Sequence, residues 1–328
     1  MRILVLGGTR FVGRHVVSEC LAREHDVTLV CRGRTPSPFV GVIRHIVTDR
    51  RAPTDDAKRV LAETWDAVID TSASDLDDIE ATTPLMRAIG RYLFVSTCGV
   101  YSRRTRGSHQ LTERAATIRS GATDPTRATA TRKLRCERYL QRHFGTLDSP
   151  LLIARLGLVV GRFDYTDRLA YWLERGLRGG DVLVPMDPHQ ALQLIDANDV
   201  ARFLLNAIDA GLTGIVNVAG PRTTAWELIE TVCAHSGGSI TPCWVGERFA
   251  LASGLRPWTE VPLWLPSSSP EATLMAVSTA RALEAGLIYR PLEETVADSL
   301  AWQAVRRGWS QRWLDHPREL QLLREWRG

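Results

Sequence analysis

The chain has 328 residues, 44% of them hydrophobic and 24% charged, with a formal net charge of +4. This composition excludes a disordered chain, a collagen and a small disulfide scaffold, and the length allows one large or two modest domains with a real core. The positive excess is small and its arginines are spread along the chain, which argues against a nucleic-acid partner; the densest cluster, Arg103, Arg104 and Arg106, reads as a solvated loop.

The longest apolar runs fall far short of the ~20 residues that span a bilayer, so no membrane span is expected. The N-terminal apolar run breaks after Leu6, so no signal peptide is expected, and the expected compartment is the cytoplasm. The six cysteines show neither a C-x-x-C pair nor metal spacing, and are expected reduced and mostly buried; no metal site is predicted. Of the 41 basic residues only Lys58 and Lys133 are lysines.

In chain order, Arg2 to Leu6 predicts a buried strand, followed by a Gly-rich turn and an amphipathic helix from Val12 to Arg23. Asp26 to Cys31 and Val42 to Thr48 predict strands, Lys58 to Thr64 part of a helix, and Ala67 to Asp70 a fourth strand. A helix over Asp77 to Ile89, a fifth strand over Arg91 to Thr97 and an irregular polar stretch over Ser102 to Asp124 follow. Ala130 to Phe144 is helical, and Leu151 to Val160 is a sixth strand. Strands alternating with helices predict an α/β fold, a Rossmann-type doubly wound parallel sheet covered on both faces.

Beyond Gly161 the pattern loosens. Tyr165 to Arg178 reads as a helix, Gln193 to Asp209 as a strand running into a helix, and Gly214 to Ala219 as a strand. A helix from Trp226, a Trp/Pro-rich segment from Trp244 to Pro270 and an Arg/Trp-rich helical tail complete the chain. The predicted division is a dinucleotide-binding domain over 1–161, with return strands from about 190–220. A smaller C-terminal substrate-binding subdomain or lid takes 162–189 and 221–328.

The turn Gly7-Gly8-Thr9-Arg10-Phe11-Val12-Gly13 directly follows the first strand and opens the first helix. Gly7 permits the sharp turn, the helix start offers free N–H groups to a pyrophosphate, and Gly13 lets helix and strand approach. Arg10 replaces the middle glycine of a G-x-x-G-x-x-G pattern. Where an acidic residue would bind the ribose 2′-hydroxyl, the chain reads Cys31-Arg32-Gly33-Arg34. Arg10, Arg32 and Arg34 are expected to converge on the adenosine ribose, a pattern for a 2′-phosphate and hence NADP(H) over NAD(H). Asp49 is a weaker candidate for the adenine edge, and Thr71 and Ser72, after the fourth strand, are candidates for the cofactor wall.

These residues resemble the extended and atypical short-chain dehydrogenase/reductases, the NAD-dependent epimerase/dehydratase family, over nearly the whole chain. Phe94 to Tyr101 is similar to the family's fifth strand, Arg155 to Gly161 to its Arg-Pro-Gly segment, and Leu194 to Ala201 and Gly214 to Pro221 to its later strands. The resemblance implies Thr97 as the catalytic hydroxyl, Lys133 as the ribose-holding lysine of a Tyr-x-x-x-Lys motif, with Glu137 four residues on, and a homodimer. It departs at one place: the tyrosine position holds Thr129. A tyrosine near pKa ~10 can be drawn toward neutrality by a neighbouring ammonium, whereas a threonine hydroxyl cannot act as general acid or base.

Tyr101, four residues after Thr97, is the candidate to relay the proton instead, with packing as its equal alternative. Asp164, Tyr165, Asp167, Arg168, Tyr171 and Trp172 fall at the edge where ligands bind, and Asp167 and Arg168 are the expected substrate contacts, with Gln193 and Trp258. His189 is expected in solvent. The leading expectation is an NADP(H)-binding oxidoreductase or epimerase-like enzyme acting on a sugar-nucleotide or specialised-metabolite carbonyl. Its rivals are a non-redox cyclisation or elimination around a structural dinucleotide, an RNA-directed protein and a cofactor-sensing regulator.

Overall fold

In the first strand, β1 (Arg2–Leu6), Ile3 and Val5 bury into one apolar cluster and Leu4 and Leu6 into another. Successive strand side chains point to opposite faces, so a strand feeding two cores must lie in a sheet covered on both sides. The computed structural model describes residues 1–102, 110–118, 127–145, 150–306 and 312–328, and among them the predicted doubly wound architecture is present. The cluster Arg103, Arg104 and Arg106 and the end of the predicted polar stretch lie outside the described residues.

After β1 come α1 (Phe11–Ala22), β2 (Asp26–Cys31), β3 (Arg44–Val47), α2 (Asp55–Leu61), β4 (Thr64–Asp70), α3 (Leu76–Glu80) and β5 (Ala88–Thr97). Next are α4 (Ala128–His143), β6 (Leu151–Leu156), β7 (Leu158–Val160), α5 (Arg168–Arg178), β8 (Gly180–Val184), β9 (Ala191–Asp196), α6 (Ala197–Asp209) and β10 (Gly214–Val218). The remainder is β11 (Arg222–Thr224), α7 (Ala225–Ser236), β12 (Ile240–Trp244), α8 (Gly246–Ala252), α9 (Ala280–Glu284), α10 (Leu292–Val305) and α11 (His316–Arg327). Seven strands form one parallel sheet in the order β10-β6-β5-β4-β1-β2-β3, with α1 and α6 packed on one face and α4 on the other.

Three elements differ from expectation. The predicted sixth strand is two: β6 stays in the main sheet, while β7 pairs with β9 in a separate three-stranded sheet. Gly157 makes the break, because its amide bonds the Val218 carbonyl at 2.9 Å and a Cβ there would sit 2.7 Å from that of Ala219. The predicted helix over Asp77 to Ile89 ends at Glu80. Thr82 and Thr83 turn their hydroxyls back onto the Asp78 and Ile79 carbonyls, and Pro84 forbids continuation, so β5 starts earlier. Of the expected return strands over 190–220, only β10 enters the main sheet.

The C-terminal part has its own core, in which Trp172, Leu183, Leu228, Val261 and Trp264 are buried together. The two-stranded parallel ladder β8–β12, absent from the sequence reading, supports it. A buried ion pair, Arg175 to Glu319 at 2.8 Å, ties α5 to α11, and Glu319 also accepts the Leu183 amide. None of the six cysteines forms a disulfide, and five are buried. Among the described residues no helix is long and apolar enough to cross a membrane.

Candidate active site

The turn after β1 is open at its working end. Gly7 has φ +86°, and a Cβ on it would overlap the Cβ of Ser72 at 2.2 Å. A Cβ on Gly13 would fall 2.1 Å from the Gly7 carbonyl oxygen, so only glycine lets α1 start this close to β1. Thr71 seals the other side, its hydroxyl donating to the Leu6 carbonyl at 3.2 Å and to that of Gly7. No side chain caps the first turn of α1 and no acid stands in it. The free amides and the positive end of the helix dipole are those an oxyanion needs, and a pyrophosphate fits the cradle. Thr9, Phe11 and Val12 complete the turn, Phe11 at a left-handed φ of +35°.

At the end of β2, Arg32 and Arg34 are exposed, and neither has a carboxylate partner among the described residues. Arg10 departs from the expected convergence, because its guanidinium lies 3.7 Å from the ring centroid of Tyr165 on the segment after β7. Asp49 is exposed and accepts the Arg51 amide at 3.0 Å, capping its own turn.

Beneath the cradle is a buried network that the sequence reading missed. Arg50 forks onto both Asp70 oxygens at 2.8 and 2.7 Å and donates to Thr82 at 2.9 Å, while the Tyr92 hydroxyl donates to Asp70 at 3.0 Å. Burial would raise the Asp70 pKa, but the attraction and hydrogen bonds of Arg50 outweigh it, and the carboxylate is held below its usual range. A signal existed in the placement of Asp70 at the C-terminal end of a central strand. Nothing in the sequence spacing pointed to Arg50 as its partner.

Lys133 of α4 donates to the Val95 carbonyl at 2.6 Å, with its ammonium 4.7 Å from the Phe94 ring centroid. Burial lowers its pKa, and Asp70 partly counters that. Two residues on from Val95, Thr97 accepts the Gly99 amide at 3.1 Å, leaving its O–H proton without an acceptor among the described residues. Thr129 is exposed one helical turn before Lys133 and accepts from Arg132 at 3.3 Å. Glu137 points inward, accepting from Ser96 at 2.5 Å and from Arg155 at 2.6 Å, with all three residues buried.

Of the two expectations for Tyr101, relay and packing, its surroundings are those of a packed residue. A 3₁₀ turn over Cys98–Val100 swings it inward, where it is fully buried and donates to Asn217 at 2.6 Å, with the Arg155 guanidinium 4.8 Å above its ring. Burial pushes its phenol up to about 12, so it holds its proton. Asp167 and Gln193, expected as substrate contacts, are held by partners within the protein. Asp167 is buried and ion-paired to Arg306, and its carbonyl accepts the Trp313 indole N–H at 3.0 Å. Gln193 is buried, donating to the Gly220 and Val277 carbonyls at 3.0 and 2.9 Å and accepting the Val277 amide. Arg168 and Trp258 do meet, the guanidinium lying 4.9 Å from the ring centroid. Tyr171 and Trp172 are core residues, and His189 is exposed as expected. Among the described residues no group of His, Cys, Asp or Glu could hold a metal ion.

A doubly wound sheet with a glycine cradle at the β1–α1 turn defines a dinucleotide-binding class of protein. The chain belongs to the NAD dependent epimerase/dehydratase family, whose model matches residues 3–219. It is 28% identical over 258 residues to 2'-dehydrokanamycin reductase of Streptomyces kanamyceticus, covering 76% of this chain and 71% of that one. It is 23% identical over 265 residues to the chloroplast stem-loop binding protein of 41 kDa b of Arabidopsis thaliana, covering 74% of this chain. The match spans 64% of that relative, less than two thirds of its length.

Among solved structures, UDP-glucose 4-epimerase of Thermus thermophilus, in complex with NAD, superposes with a TM-score of 0.67 at 18% identity, covering 93% of this chain and 99% of that one. UDP-glucuronic acid 4-epimerase of Bacillus cereus, also in complex with NAD, gives 0.68 at 17% identity, covering 95% and 100%. These likenesses establish the fold.

Proposed function

We propose that the protein is an NADP(H)-dependent oxidoreductase or epimerase-type enzyme acting on a carbonyl of a sugar nucleotide or a specialised metabolite. The observation that carries this reading is Lys133. One of only two lysines in the chain, it is part-buried and donates to the Val95 carbonyl of the strand that ends in Thr97. Arg32 and Arg34, where a carboxylate would select a 2′-hydroxyl, support the 2′-phosphate of NADP(H). The dinucleotide, when bound, supplies or accepts the hydride.

The chain's own groups bind, orient and polarise. The amides at the start of α1 hold the pyrophosphate, Lys133 donates to the nicotinamide ribose, and the free O–H of Thr97 donates to the reacting oxygen. Thr129 can hold a water or a substrate hydroxyl but cannot supply a proton at neutral pH. With Tyr101 locked onto Asn217, proton transfer falls to solvent or to the substrate itself. That same lock favours, as the second reading, a non-redox elimination or cyclisation around a resident dinucleotide.

The test is a fluorescence titration with NADPH. Lys133→Ala is expected to weaken binding by about 10-fold or more, the loss of a charged hydrogen bond, with Lys133→Arg between the two. Unchanged affinity in Lys133→Ala would remove the reading, as would a melting shift with an RNA stem-loop and none with NADPH.

A further inference from the structure

Two consecutive arginines, Arg50 and Arg51, follow β3, and both turn onto the connection between β4 and α3. That connection, Thr71 to Asp75, is a wall of the phosphate turn. The Thr71 hydroxyl bonds the Gly7 carbonyl, and Ser72 stands so close to Gly7 that no Cβ fits between them.

Arg50 holds the loop at its start. It forks onto Asp70, whose Oδ1 also accepts the Ser72 and Ala73 amides at 3.1 and 2.9 Å, and its Nη1 donates to the Ser72 hydroxyl at 3.3 Å. Arg51 holds the loop at its end. Its Nε donates to Asp78 Oδ1 at 2.6 Å, and the other oxygen of Asp78 accepts the Ser74 and Asp75 amides at 2.8 and 3.0 Å. Burial would raise the Asp78 carboxyl, but Arg51 and those two amides outweigh it and hold it at about 2, so it is a carboxylate at neutral pH.

Every amide of the loop thus has an acceptor, since the Thr71 amide bonds the Leu6 carbonyl at 3.1 Å. On its far side Arg132 of α4, next to Lys133, donates to the Ser74 carbonyl at 3.3 Å. Two carboxylates, each matched to its own arginine, therefore fix the backbone of the loop and leave its hydroxyls and its shape to a ligand. A loop ordered in advance removes the entropy cost of ordering it from the binding step.

We propose that Arg50 and Arg51 are positioning residues for the dinucleotide. From the two ends of the loop they hold Thr71 and Ser72 against the phosphate turn, so that the pyrophosphate meets a preformed wall. The inference rests on the dinucleotide reading above and adds the side chains outside the glycine turn that set its affinity.

The test is a double-mutant cycle on Arg51 and Asp78, read as binding of NADPH and, separately, of 2′-AMP, which carries adenine and a 2′-phosphate but no pyrophosphate. The Arg51 side chain is 46% exposed, and its backbone amide alone serves the Asp49 turn, so Arg51→Gln spares the fold and the adenosine side. Arg51→Gln and Asp78→Asn are each expected to weaken NADPH binding about 10-fold, and the two together no more than either alone. Binding of 2′-AMP is expected to stay within about 2-fold. Asp70→Asn keeps an oxygen for the loop amides but gives Arg50 a neutral partner, and it is expected to act in the same sense from the other end. Should that buried change prevent folding, the Arg51 and Asp78 cycle still decides. NADPH affinity unchanged in both single variants, effects that simply add, or NADPH and 2′-AMP weakened alike would overturn the proposal and leave the pairs a structural role. A parent that binds neither NADPH nor NADH would overturn the cofactor reading and this inference with it, whereas a parent that binds NADPH with no coupling in the cycle overturns the inference alone.

Discussion

Thr129→Tyr is expected to raise NADPH-dependent turnover of carbonyl substrates by roughly 10²- to 10⁴-fold, the usual worth of a positioned general acid. Residues four apart on a helix share a face, so a tyrosine at 129 lies over Lys133. The ammonium stabilises the phenolate and draws the phenol down from pKa ~10 toward neutrality. Thr129 is exposed, so the larger ring meets no packed neighbour there. The measurement is steady-state NADPH oxidation over a panel of aldehydes, ketones and keto-sugars for parent and variant. A gain that the parent lacks places the parent outside the conventional reductases. No gain, with NADPH binding intact, means that the proton donor is not what limits the site and favours the non-redox reading.

The second large effect concerns stability. Glu137→Ala is expected to destabilise the fold by about 3–5 kcal/mol, because it strands the buried Arg155 without its carboxylate. Glu137 is 0% exposed and Arg155 3%, and the pair is bound through three contacts of 2.6 to 3.3 Å, with the Ser96 hydroxyl at 2.5 Å on the same carboxylate. The network clamps α4 to β5 and β6, the element and strand that carry Lys133 and Thr97. Urea unfolding provides the measure. A loss below about 1 kcal/mol would show that water or rearrangement satisfies Arg155 and that the clamp does not set the position of α4. Replacing Glu137 and Arg155 together by methionine is expected to cost less than either single change to alanine.

Local patterns carried the first half of the fold. Gly7 and Gly13 declare a tight turn by their own conformational freedom, and the apolar runs at Ile3, Leu29 and Ile69 need no distant partner to be read as buried strands. The long apolar run from Leu151 to Val160 hid a sheet switch, since β6 and β7 are both buried and only Gly157 marks the join. Pro84 is a stop signal that lies within the helix expected over Asp77 to Ile89, and α3 ends before it at Glu80. A motif names the turn, Lys133 and Thr97 as candidates from the sequence alone. The surroundings of Tyr101, Asp167 and Gln193 are not legible in the sequence, because each is held by a partner 84 to 139 residues away. Burial of a polar side chain is decided by such distant partners, which periodicity does not encode.

The proposed cofactor site joins the glycine turn to Arg32 and Arg34 as partners for a 2′-phosphate. Parallel equilibrium titrations of the protein with NADPH and NADH, repeated on Arg32→Ala and Arg34→Ala, address it most directly. NADPH is expected to bind about 10-fold or more tighter than NADH, with most of that preference lost in the variants and NADH affinity unchanged. NADH binding as tightly as NADPH, or a preference that survives both substitutions, would contradict it.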